Sequence, residues 1–454
     1  MFKKSKIFLA IALVLLMSFT SITAVLATNL DDNRAIVTDD EDSPVQATIT
    51  KHIRMPINTA TPNVTFTFNV EKVSVDGRTT ATDLATMPDL DEDALIVTFT
   101  ADDTANAASG TPGLISVKKE TGNLFDGVDF PHAGIFIYKI TENRPATTTP
   151  EGVFEDGHNV WYYSRASYEL IVHVANHSNG TTRYVRALGT HQRINDDNET
   201  VEGVKVDPTP GGYEDLYSFS QMEFLNDFIH TDAPIILDPT LASTLFVSKE
   251  VEGDMGDRTM LFNFSIDLKT PPTLRGGEEG QIPTYYRAFI LEKRIVEVDD
   301  GDDEIIYVVI DPADNNVAPA RIGGTAGNRY IMVSPNSDEP TAFSLRHNQR
   351  LAFIDVPVGS EYTVTETAAL NYDTSIVVRT PGGTPSSATL TEALSTGVRN
   401  VGRAGSSAEF TNERVGVTPT GLNLNDLPFI GLIVLALGSL TIFVVLKVRK
   451  RNYE

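Results

Sequence analysis

The amino-acid sequence predicts an all-β protein built from two tandem β-sandwiches, and two observations carry that expectation. From residue 47 to residue 413 the chain is rich in Thr, Val, Ile, Phe and Tyr in short alternating runs, broken by Gly, Pro and Asp turns. That is the pattern of short strands with one face in a core. The chain also repeats itself in order. "ATITK" ending at Lys51 matches "LFVSK" ending at Lys249, and "FTFNV" from Phe66 matches "FNFSI" from Phe262. "YKITE" ending at Glu142 matches "YTVTE" ending at Glu366, and "EFLN" ending at Asn226 matches "EFTN" ending at Asn412. Four matches in one order imply two copies of a single Ig-like, Greek-key unit whose loops have diverged.

The elements follow along the 454 residues. Residues 1–27 place Lys3, Lys4 and Lys6 before an apolar run from Ile7 to Met17 and a small-residue end at Ala27, the layout of a secretory signal peptide cleaved after Ala27. Residues 28–46 are acidic and polar and read as a mobile segment. The first sandwich is expected over 47–228 and the second over 245–413, joined by a linker over 229–244 that holds two prolines. Strands are expected at Thr65–Val70, Ser167–Val174, Ile305–Ile310 and Glu361–Glu366. "DDGDDE", Asp299 to Glu304, lies between two strand-like runs and lacks EF-hand spacing, so a hairpin turn is expected there rather than a calcium loop. After a spacer over 414–426, Leu427 to Leu446 carries no charge, enough apolar helix to cross a hydrocarbon core of about 30 Å. The basic tail over 447–454, with Lys447, Arg449, Lys450 and Arg451, would stay in the cytoplasm.

Composition excludes several function classes. A net charge of −25 argues against nucleic acid as a partner. The chain has no cysteine, so an exported protein of this kind would need some staple other than disulfides. Its eight histidines form no paired metal spacing and no triad grouping, and no cofactor, metal or hydrolytic enzyme reading follows.

One constellation does carry chemistry. Each copy offers a lysine on its first strand, a glutamate on a middle strand and an asparagine on its last, and a Greek key can bring first and last strands together. Alternation places Ile49 with Lys51, Val247 with Lys249, Tyr138 and Ile140 with Glu142, Tyr362 and Val364 with Glu366, Phe224 with Asn226, and Phe410 with Asn412 on shared, apolar faces. Burial would lower a lysine pKa and raise that of a glutamate. A neutral amine could then attack the asparagine carbonyl. The protonated glutamate would polarise that carbonyl by a hydrogen bond and pass a proton to departing ammonia. Phe66, Phe68, Phe224, Phe262, Phe264 and Phe410 would keep the site dry. The product is a side-chain amide bond.

On these motifs both copies resemble the intramolecular isopeptide domains of Gram-positive pilins, in particular the T-antigen or FctA-like backbone pilin family. The resemblance implies crosslinks Lys51–Asn226 and Lys249–Asn412, with Glu142 and Glu366 as proton shuttles. The first copy departs slightly, with Ile140 for Val and Leu225 for Thr. Val417, Thr418, Pro419, Thr420 and Gly421, the apolar helix and the basic tail together resemble a cell-wall sorting signal. That likeness implies cutting by a sortase between Thr420 and Gly421; "LPFIG" from Leu427 to Gly431 lacks the threonine. The family also needs an acceptor lysine for polymerisation, and Lys205, expected in a Gly/Pro loop, is the candidate. The expected protein is thus a wall-anchored pilus subunit, membrane-held only before sorting. Its partners would be sortase and other subunits or peptidoglycan; the alternative is a wall-anchored adhesin for a host or matrix ligand.

Overall fold

A computed structural model describes residues 36–108, 112–157, 159–211, 221–231, 243–272, 283–296, 304–383, 387–403, 405–416 and 427–451. The signal-peptide region, the sorting motif Val417–Gly421 and most of the expected linker lie outside the described residues.

Among the described residues each sandwich has one main hydrophobic core, drawn from Val45 to Phe228 in the first and from Leu245 to Phe410 in the second, and a small further cluster of Phe289, Leu291, Ala352 and Ile354 lies on the second. The first lies between a seven-stranded and a six-stranded sheet. The seven-stranded sheet runs Ile36–Val37, Arg183–Ile194, Ser167–Asn176, Gly134–Glu142, Val64–Val75, Ile96–Phe99, with Thr200–Val206 added beside Arg183–Ile194. Opposite it run Asn106–Ala107, Leu114–Glu120, Thr50–Pro56, Glu223–His230, Asn159–Tyr162 and Val153–Asp156. In the second sandwich a nine-stranded sheet places Leu245–Glu252 beside Ser406–Glu413, and a four-stranded sheet holds Phe262–Lys269 beside Glu361–Glu366. All four expected strands lie within observed ones. Their alternation explains why, since Phe262, Phe264, Ile266 and Leu268 all turn into the core while their neighbours do not.

The decisive topological feature is shared. Thr50–Pro56 and Glu223–His230 lie side by side and parallel, with Lys51 opposite Phe224 and Ile53 opposite Asn226. Leu245–Glu252 and Ser406–Glu413 do the same, with Lys249 opposite Phe410 and Val251 opposite Asn412. On the outer face of the first pair, Arg54 grips Asp227 with two bonds, Nε to Oδ1 at 2.8 Å and a terminal nitrogen to Oδ2 at 3.0 Å. The Asp227 side chain is fully buried, so this fork fixes the register.

Several expectations change. The acidic segment is not free from residue 36 onward: Ile36 and Val37 pair with Leu188 and Ala187, Val45 N–H donates to Val185, and Glu41 accepts from the Ser178 N–H. Ile36, Val37 and Val45 and the Glu41 carboxylate find partners along one sheet edge, which composition alone hides. Ile229 and His230 belong to the closing strand, opposite Val160 and Asn159, rather than to a linker. Tyr286–Val296 and Glu304–Ile310 pair as an antiparallel hairpin, although the turn itself lies outside the described residues. The C-terminal helix spans Leu427–Arg451, so the basic residues continue it instead of forming a separate tail.

The two sandwiches touch end to end. Val358 N–H donates to the His230 carbonyl at 3.0 Å, and the Asn58 amide to the Val401 carbonyl at 3.4 Å. Gly359 sits there at φ +84°, where a Cβ would lie 2.3 Å from the Pro56 Cβ. Replacing Gly359 with Ala therefore adds a steric clash to a left-handed backbone that costs a non-glycine residue about 1–2 kcal/mol. Denaturant unfolding of the full chain should register a loss larger than that backbone cost alone; a loss no larger than it would mean this junction does not persist in solution.

Candidate functional site

Each sandwich buries one lysine, one glutamate and one asparagine in contact. Lys51 and Asn226 are 0% exposed and Glu142 7%; Lys249 and Glu366 are 1% exposed and Asn412 0%. Such burial is rare for charged groups without partners. The parallel register explains the approach: Lys51 and Phe224 are direct neighbours on the inner face, and Asn226 is the next inward side chain along the closing strand. A lysine stem can cover that diagonal. The phenylalanine of each F-x-N string therefore sits opposite the lysine and walls it in.

The glutamate arrives from the opposite sheet. Glu142 ends Gly134–Glu142 opposite Phe68, and Glu366 ends Glu361–Glu366 opposite Phe264. The Lys51 ammonium lies 2.9 and 3.0 Å from the two Glu142 oxygens, and it also donates to the Phe224 carbonyl at 3.1 Å. Asn226 Nδ2 donates to Glu142 Oε1 at 2.8 Å. In the second sandwich Lys249 lies 3.1 and 3.2 Å from the Glu366 oxygens, and Asn412 Nδ2 donates to Glu366 Oε1 at 2.6 Å. Each carboxylate thus bridges amine and amide across the core.

The sequence places the glutamate proton on the asparagine carbonyl; the structure instead sets the carboxylate against the amide nitrogen. The reason is valence, because a carboxylate already accepting from an ammonium takes an N–H donor more readily than a carbonyl. The carbonyl ends differ between sites. Asn226 Oδ1 accepts the Ser164 backbone N–H at 2.7 Å, whereas Asn412 Oδ1 is buried with no hydrogen-bond partner among the described residues.

Aromatic rings seal both sites as expected. Lys51 Nζ stands 4.5 Å from the centre of the Phe66 ring, and Lys249 Nζ 4.4 Å from that of Phe262. Phe68 packs on Phe224 at 5.0 Å and Phe264 on Phe410 at 5.2 Å between ring centres. In this dry setting burial pushes the Glu142 and Glu366 carboxyls up despite the lysine beside each, and it pushes the Lys249 ammonium down to about 8. In the second site both shifts favour moving one proton from nitrogen to carboxylate, which leaves a nucleophilic amine.

Ser164 and the residues that hold it were not singled out from sequence. Asp196 lies in "INDDNE", which reads as a polar hairpin turn, and nothing in its spacing points inward. Lys205 is placed differently from expectation. It stands on strand Thr200–Val206 opposite His191, half-buried, not in a loop. Val204 and Val206 continue the sheet on either side of it, and the irregular stretch starts only at Asp207-Pro208.

Fold and site together define a tandem β-sandwich protein with a carboxylate-bridged lysine and asparagine in each unit. Residues 45–201 match the family model of the Spy0128-like isopeptide containing domain, FctA. Residues 243–414 match a domain of unknown function, DUF7601. Over residues 45–201 the first sandwich is thus similar to a Spy0128-like isopeptide containing domain. A pilin of Streptococcus pyogenes serotype M1 is 26% identical over 225 residues, 46% of this chain and 49% of the relative, so the chain spans about half the length of that curated relative. Among solved structures, the major pilin of Streptococcus pyogenes is 20% identical, with 82% of this chain and 100% of that one covered at a TM-score of 0.27. The T3.2 major pilin of serotype GAS13637 is 17% identical, with the same coverage and a TM-score of 0.26.

Removing one partner from a buried ion pair strands the other. Glu366→Ala is expected to destabilise the second sandwich by at least about 3 kcal/mol, read as a lower denaturant midpoint in the full chain. An unchanged midpoint would mean that Lys249 reaches solvent.

Proposed function

We propose that the chain is a pilus subunit whose two sandwiches each weld their opening strand to their closing strand through a lysine–asparagine amide bond. The observation that carries this reading is the glutamate bridge, present in both units and joining the amine that must lose protons to the amide nitrogen that must gain them. From the neutral amine and the protonated carboxyl, Nζ attacks Cγ of the asparagine and a C–N bond forms. The carboxyl gives its proton to Nδ2, the Cγ–Nδ2 bond breaks, and the carboxylate collects a proton from Nζ. Ammonia leaves and the glutamate ends as it began. Glu142 serves Lys51 and Asn226; Glu366 serves Lys249 and Asn412. The second unit matches a family without an assigned function, yet it holds the same trio in the same register, which supports one chemistry in both.

Display follows from the C-terminus. Within the helix Leu427–Arg451 the stretch Pro428–Leu446 carries no charge and is not buried against the sandwiches, and at about 1.5 Å per residue the helix is long enough to cross a membrane. On our reading it holds the exported chain until a sortase cuts Val417–Gly421 after Thr420 and passes Thr420 to an amine, that of Lys205 on a neighbouring subunit or of peptidoglycan. The pilin relative and the isopeptide-domain match favour a subunit over an adhesin.

Two experiments test this. Proteolytic digestion of the full chain should release branched peptides joining Lys51 to Asn226 and Lys249 to Asn412, each lighter by one ammonia, about 17 Da. Glu142→Ala should abolish only the first and Glu366→Ala only the second; linear peptides alone from the unmutated chain would overturn the chemistry. On cells, Lys205→Ala should collapse sortase-dependent high-mass ladders to monomer. Ladders that persist would move the acceptor elsewhere, and their absence from unmutated cells would favour a singly anchored adhesin.

A further inference from the structure

The first site contains a part that the second lacks. Asn159–Tyr162 runs antiparallel to the closing strand, but its ladder stops at Tyr162 opposite Asp227. Two residues later the Ser164 N–H is released from strand pairing and points at the side chain of Asn226, 2.7 Å from Oδ1. In the second sandwich the neighbour of the closing strand, Asp373–Arg379, stays paired from Glu413 to Ser407, and Thr374 lies directly opposite Asn412. There the amide oxygen finds no donor among the described residues.

Asp196 makes two bonds to the released segment and one to the closing strand. Its Oδ1 accepts from the Ser164 hydroxyl at 2.5 Å and from the Leu225 backbone N–H at 3.1 Å. Its own carbonyl accepts from the Arg165 N–H at 3.3 Å. One residue therefore ties both chains that flank Asn226, the Ser164 turn and the closing strand. Ser164 is itself buried.

Resting on the amide-bond reading above, we infer that Asp196 is a positioning residue that aims the Ser164 N–H at Asn226 Oδ1 as an oxyanion donor for the first crosslink only. When Nζ of Lys51 adds to Cγ of Asn226, the carbonyl electron pair moves onto Oδ1. A fixed N–H already at hydrogen-bond distance stabilises that charge without reorganising. The charge returns to the carbonyl as the Cγ–Nδ2 bond breaks. Glu142 handles the protons and Ser164 the oxygen, so the two tasks are divided between opposite ends of the amide.

The test follows both crosslinks in one molecule. The full chain, synthesised in a cell-free reaction and sampled over time, is digested, and the Lys51–Asn226 and Lys249–Asn412 branched peptides are counted. Asp196→Ala should slow the first bond by at least about tenfold, below the loss of about 10²–10³ that follows removal of an oxyanion donor outright, and leave the second at its unmutated rate. Asp196→Asn, which keeps an acceptor oxygen, should restore most of the first rate. Equal slowing of both bonds, or a first bond at the unmutated rate in Asp196→Ala, overturns the inference. If Asp196→Ala does not fold, Ser164→Ala decides, since it cuts the hydroxyl tether and keeps the N–H: selective slowing supports the inference and an unchanged first rate overturns it. If the unmutated chain forms no first bond, it is the amide-bond reading that fails instead.

Discussion

The structure depends on two parallel strand pairs that force a lysine amine into an apolar core. Thr50–Pro56 beside Glu223–His230, and Leu245–Glu252 beside Ser406–Glu413, each turn the lysine inward opposite a phenylalanine. An ammonium in that position costs several kcal/mol unless it is matched. The match comes from the facing sheet, where a glutamate ends an otherwise apolar row of tyrosine and aliphatic side chains. Three distant segments must therefore close around one another before any of the three polar groups is satisfied. The trio consequently acts as a specificity device for the Greek key, because a one-residue slip in either strand would turn the lysine or the asparagine to the wrong face.

The same arrangement explains why the groups are poised and not merely paired. A bridging carboxylate in water would settle its neighbours as stable ions. Walled by Phe66, Phe68 and Phe224, or by Phe262, Phe264 and Phe410, it cannot do so fully, and burial pushes Glu142 and Glu366 up and Lys249 down. The low dielectric that makes the pair costly is what keeps a nucleophile within reach of an amide. The two sites are not duplicates, however. The ladder after Tyr162 stops and the first carbonyl oxygen has a donor, while Asp373–Arg379 stays paired and the second has none among the described residues.

Much of this was legible in the sequence because it is written with period two. Ile49 with Lys51, Ile140 with Glu142 and Phe410 with Asn412 share faces in the structure as alternation requires, and the repeated order of motifs located both trios. What was not legible depends on geometry between segments that carry no common pattern. Asp196 sits in a turn that reads as solvated, and its contacts with Ser164 and Leu225 cross about thirty residues of chain on either side. Ile36 and Val37 are too few to announce a strand, yet an open sheet edge accepts them. Lys205 was misread because the glycine and prolines around it outweighed the valines that keep it in the sheet. The contact of glutamate with nitrogen rather than oxygen is a choice between two ends of one side chain, which no sequence pattern records.

The parallel register also decides how tension would travel. Because opening and closing strands run in the same direction, the chain enters each sandwich near one end and leaves it near the other. Pulling on the termini then shears the two strands along their length, loading many ladder hydrogen bonds at once. An amide bond from Lys51 to Asn226 would join those strands by side chains, so force would pass from one to the other without entering the long stretch of chain between them. Closing so large a loop would also remove about 5 kcal/mol of denatured-state entropy if disulfide arithmetic carries over. The chain has no cysteine, and that is the role a disulfide fills in many exported proteins. A lysine–asparagine bond has one advantage in that role, since no change in redox conditions reverses it.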